Sequence, residues 1–122
     1  PQYAGTTGSP DNGQQFIVPA TGVYELMAEG NVYARDYGYY YSTPYLKESS
    51  IIARVKRNGA LVQTFNAFHR EFSPVLRLFP KMNTYAYLNA GDVVEIRLKI
   101  ESVTDPAIVE NFYCNAKLVF AQ

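Results

Sequence analysis

The chain has 122 residues and a mass of 13.7 kDa, the size of one domain. Its 11 Lys and Arg balance its 11 Asp and Glu, which excludes a nucleic-acid surface built on bulk positive charge. No apolar run approaches the ~18 residues of a membrane span, and the single cysteine allows neither an internal disulfide nor a Cys-cluster zinc site.

Residues 1–13, PQYAGTTGSPDNG, offer little to bury and read as a linker or frayed N-terminal segment. Pro1 suggests a piece cut from something longer, and with no charged-then-apolar leader a signal peptide is expected to be absent or removed. Residues 14–122 read as one domain of short strands. Phe16 to Val18 is an apolar run stopped by Pro19. Thr21-Gly22 turns into VYELMAEG, where Tyr24, Leu26 and Ala28 alternate with Glu25 and Glu29, and the strand is expected to end near Gly30. Residues 31–50 hold six of the 11 tyrosines and show no clear period. Ile51 to Arg57 puts Ile51, Ala53 and Val55 on one face. Asn58-Gly59 signals a hairpin, because both central residues of a type I′ turn need positive φ; Ala60 to Phe68 is the return strand.

Val75 to Phe79 ends at Pro80, and Thr84 to Leu88 forms the next strand, with Tyr85 and Tyr87 on its other face. Asn89-Ala90-Gly91-Asp92 turns the chain. Val93 to Ile100 alternates cleanly, with Val94, Ile96, Leu98 and Ile100 inward. The last strand, Asn111 to Phe120, places Phe112, Cys114, Ala116, Leu118 and Phe120 on one face. The expected core is Tyr24, Leu26, Ile51, Val55, Phe65, Leu88, Val94, Ile96, Leu98, Phe112, Leu118 and Phe120. About eight strands with one buried face each make an all-β, two-sheet antiparallel β-sandwich.

Four segments in order carry a resemblance. QQFIVPATGVYEL (Gln14–Leu26), ARVKRNGALVQTF (Ala53–Phe65), AYLNAGDVVEIRL (Ala86–Leu98) and FYCNAKLVF (Phe112–Phe120) are similar to segments of the jelly-roll superfamily of the complement subcomponent q globular head and tumour necrosis factor. The resemblance implies jelly-roll topology, a compact homotrimer and a binding role rather than catalysis. It also implies that the outward faces of the third, sixth and last strands pack around a three-fold axis. Here those faces offer Ile52, Arg54, Glu95, Arg97, Tyr113 and Val119 as the oligomer interface.

The chemistry-bearing residues fit a non-enzyme. His69 is the single histidine and has no nucleophile motif beside it; it reads as a hydrogen-bonding residue near a strand end. Cys114, between inward Phe112 and Ala116, reads as an inert core thiol. No D-x-D-x-D-G spacing occurs, so neither a metal nor another cofactor is expected. In the Tyr-rich segment, Tyr37, Tyr39, Tyr40 and Tyr41 cannot all face a core, since neighbours on an extended chain point to opposite sides. Tyr37, Tyr39 and Tyr41, with Arg35 and Asp36, are the expected ligand-binding surface; packing on the sandwich or across subunits is the alternative.

The function read from all this is a homotrimeric receptor-binding or adhesion head of a longer microbial or phage surface protein. Its place would be extracellular, on a cell or virion surface, and its partner a protein receptor or a glycan. No nucleic acid and no membrane insertion are expected. The alternatives are a structural trimerisation cap or decoration, and a monomeric carbohydrate-binding module.

Overall fold

The computed structural model describes residues 13–34, 46–72, 77–101 and 107–121. They contain eight strands: β1 (Gly13–Ile17), β2 (Gly22–Ala34), β3 (Leu46–Arg57), β4 (Ala60–Phe72), β5 (Arg77–Leu78), β6 (Lys81–Leu88), β7 (Val93–Glu101) and β8 (Ala107–Ala121). One antiparallel sheet has the order β1-β7-β3-β4. In the other, β2 is central, with β8 along one side and β6 followed by β5 along the other. The chain passes repeatedly from sheet to sheet, which is the wiring of a jelly-roll sandwich.

Period-2 alternation builds the core. Tyr24, Leu26, Ile51, Val55, Leu88, Val94, Ile96 and Leu98 are fully buried between the sheets. Buried Tyr24 keeps its hydroxyl satisfied by donating to the Ala20 carbonyl at 2.7 Å. Phe16, Val32, Leu78, Met82 and Val109 join them. The hairpin turn has the expected geometry, with φ of 52° at Asn58 and 81° at Gly59. Gly91, at φ 90°, lets the β6–β7 turn close.

Three expectations change. Phe65 and Leu118 only pack against the edge of the core, and Phe120 is 72% exposed. For Phe120 the cause is a bulge: Tyr24 pairs with Leu118 but Val23 pairs with Phe120, so Val119 is an extra residue and Phe120 turns to the outer face beside Val23. Second, β2 continues past Gly30 to Ala34 and β3 starts at Leu46, so much of the apparently aperiodic segment is strand. Third, β3 and β7 share one sheet while β8 lies in the other, so the third, sixth and last strands offer no common face.

Gly22 pairs with Ala121 of β8, beside the bulge. A Cβ there would run into the Phe120 carbonyl oxygen and come within 2.9 Å of Leu118 Cδ1. Gly22→Ala is therefore expected to cost about 1–3 kcal/mol, because a backbone atom cannot turn aside as a rotamer can. An unchanged thermal midpoint would mean that β8 does not pair with β2 at this point.

Candidate functional site

The sandwich presents two outer faces of different chemistry. The β1-β7-β3-β4 face is charged. Arg54 stands opposite Glu95 and Ile52 opposite Arg97 in the β3–β7 register. Lys56 pairs with Glu95 at 3.1 Å. Ile52, Arg54, Glu95, Arg97 and Lys99 line a shallow depression of about 80 Å³.

The face of the β8-β2-β6 sheet is aromatic. Tyr85, Tyr87, Tyr113, Val119 and Phe120 are each about half exposed or more. In register, Val23 lies between Tyr87 and Phe120, Glu25 between Tyr85 and Lys117, and Glu29 between Lys81 and Tyr113. The Tyr85 hydroxyl donates to Glu25 Oε2 at 3.3 Å, and Lys81 lies 3.6 Å from Glu29. Beyond that row the face sinks into a pocket of about 400 Å³. Its walls are Glu29 and Asn31 of β2, Phe79 and Lys81 from the β5–β6 passage, and Asn111 and Tyr113 of β8. The carboxamide oxygen of Asn31 is buried there with no hydrogen-bond partner among the described residues.

Of the six expected interface residues, Ile52, Arg54, Glu95 and Arg97 come together on the charged face. Tyr113 and Val119 lie on the opposite sheet. Arg35, Asp36, Tyr37, Tyr39 and Tyr41 lie outside the described residues. Asn31 went unnoticed because it was grouped with the Tyr-rich segment. The missed signal is the continued alternation of Glu29, Asn31 and Tyr33 with buried Ala28, Gly30 and Val32.

His69 joins the two sheets. Its Nδ1 accepts the Phe79 backbone N–H at 2.6 Å, so the ring proton is on Nε2, which faces Glu71 Oε1 at 3.0 Å. The ring also stacks on Phe79, centroids 6.3 Å apart. Cys114 is buried, and burial pushes its thiol up to about 12, which keeps it from forming a thiolate at neutral pH. Among the described residues no three His, Cys, Asp or Glu side chains converge as metal ligands.

No family model and no curated protein matches the chain. Among solved structures it is similar to "Eiger TNF from S. frugiperda", with a TM-score of 0.53 and 12% identity over 100% of this chain and 96% of that one. At that identity the likeness shows the fold, a TNF-like jelly roll.

Proposed function

We propose that this domain is a non-enzymatic homotrimeric binding head that works outside the cell, as a receptor-binding or adhesion module of a longer microbial or phage surface protein. The observation that carries the assembly is the aromatic outer face of the β8-β2-β6 sheet, with Tyr85, Tyr87, Val119 and Phe120 exposed around Val23. Obligate interfaces are aromatic and apolar at their centre. Glu25 and Lys117 on the same face supply both signs, so rotated copies can pair around a closed ring. Val119 belongs to this surface, whereas Ile52, Arg54, Glu95 and Arg97 lie on the opposite sheet. Arg35, Asp36, Tyr37, Tyr39 and Tyr41 remain proposed ligand contacts on the strength of the sequence. The TNF-like fold supports an extracellular binding role, and the Tyr-rich, disulfide-free composition supports a microbial or viral source.

Light scattering at micromolar concentration should give three times 13.7 kDa. The double variant Tyr87→Glu, Val119→Glu should give a folded monomer, since each substitution forces a charge into the contact. A wild-type mass of 13.7 kDa would overturn the assembly.

A further inference from the structure

The pocket beside Asn31 begins at Glu29, six residues along β2 from Val23 and so about 20 Å from the centre of the proposed assembly surface. We propose that it binds a neutral polyhydroxylated ligand, a sugar ring or the end of a glycan. This deepens the reading of the domain as a binding head by naming a site and a ligand class.

Size, polarity and charge all point the same way. About 400 Å³ is within the usual range of roughly 300–1,000 Å³ for small-molecule sites. Two rings stand on its walls, Phe79 at 54% and Tyr113 at 49% exposure. Such rings offer flat apolar faces to the C–H face of a sugar. Between them lies the buried carboxamide oxygen of Asn31, which has no partner among the described residues, with Asn111 directly opposite in the β2–β8 register. An unpaired buried polar atom is costly. A hydroxyl both donates and accepts, so it satisfies this amide whichever way round it sits. The charges at the rim cancel, because Lys81 and Glu29 already face each other at 3.6 Å. A free anion or cation would gain little there, while both groups still hydrogen-bond hydroxyls. The Phe79 wall is pre-formed: His69 holds its backbone N–H and stacks on its ring. Preorganisation of this kind lowers the entropy cost of binding.

The test is a titration of the folded protein with free glucose, galactose, mannose, N-acetylglucosamine and lactose to tens of millimolar, following backbone amide shifts. At least one sugar should move the amides of Asn31, Phe79, Lys81, Asn111 and Tyr113. Its affinity should change less than about twofold between low and high salt, since no net charge is engaged. Asn31→Leu and Tyr113→Ala should each weaken binding at least about tenfold, the loss of one buried hydrogen bond or one stacked face. Molar mass and melting temperature should stay near the wild-type values. His69→Ala, which frees Phe79, should weaken it less. The proposal is overturned if no sugar moves these amides, or if inorganic phosphate moves them instead. It is equally overturned if Asn31→Leu or Tyr113→Ala lowers the molar mass, because a second copy then fills the pocket. A monomer that binds sugar would refute the assembly and leave the site; a trimer that binds none would do the reverse.

Discussion

Leu98→Ala is expected to cost about 2–5 kcal/mol of folding stability, read as a lower denaturant midpoint at unchanged slope. Leu98 is fully buried on β7 opposite Ile51 of β3. Its two methyl carbons reach across the sandwich to β2. They end 3.1 and 3.2 Å from where a side chain on Gly30 would begin. The bare backbone of Gly30 is thus the socket for this leucine. Both backbones are held in sheet ladders, so removing the side chain leaves a cavity that cannot collapse. Gly30→Ala should crowd the same socket, and should be tolerated better in the Leu98→Ala background than alone, a coupling that a double-mutant cycle measures. The adjacent Lys99 is exposed, and Lys99→Ala should stay within about 0.5 kcal/mol of wild type. The Ser49 hydroxyl donates to the Lys99 backbone oxygen, which that substitution keeps. Equal losses at Leu98 and Lys99 would mean a one-residue slip of β7, because such a slip exchanges the two faces.

Asp92→Ala is expected to cost about 1.5–3 kcal/mol, the range for hydrogen bonds to a charged group. Asp92 is 1% exposed at the β6–β7 turn. Its carboxylate accepts Arg57 Nε and Nη2, both at 2.9 Å, and the Asn89 backbone N–H at 2.9 Å. Arg57 ends β3 just before the Asn58-Gly59 turn, so the pair ties that hairpin to the β6–β7 turn at the same end of the sandwich, next to the Lys56–Val93 pair of β3 and β7. The hydrogen bonds from Arg57 pull the Asp92 carboxyl below its ordinary 3.8, against the upward push of burial. A depressed folded-state value stabilises the fold fully above the ordinary value. That stabilisation is lost as pH falls through the lower folded value. Asp92→Asn keeps the shape but removes this proton linkage. Its stability should therefore fall less than that of the wild type between neutral pH and about pH 2. Parallel acid curves for the two proteins would show that the Arg57 pair does not act on Asp92 as described.

Alternation and turn chemistry were enough to reach an all-β sandwich. Tyr24-Leu26-Ala28, Ile51-Ala53-Val55 and Val94-Ile96-Leu98 each carry a two-residue period, and Asn58-Gly59 and Gly91 mark turns that need positive φ. These signals are local, so they survive in a single sequence. The start of β3 was illegible for the opposite reason. Lys47, Glu48, Ser49 and Ser50 are buried although polar, and such burial is possible only with partners brought from elsewhere. Arg70 of β4 reaches Glu48 at 2.6 Å, and Ser49 donates to Lys99 of β7. The bulge at Val119 is equally non-local. It shows in the pairing of β8 with β2 and turns Phe120 outward against its own alternation.

Sheet membership was likewise decided by tertiary structure. Each strand has one inward face whichever sheet it joins, so periodicity cannot say that β7 sits beside β3 while β8 sits beside β2. That choice separated Tyr113 and Val119 from Ile52, Arg54, Glu95 and Arg97. The pocket depends on it as well, because its walls come from β2, the β5–β6 passage and β8, whose residues are far apart in the chain. The period of this sequence determined the inward faces of most strands, but not the outward turn of Phe120 or the burial of Lys47 to Ser50. Only the long-range pairing of strands decided which outward residues meet, because hydrogen-bonded registers join segments that carry no trace of one another.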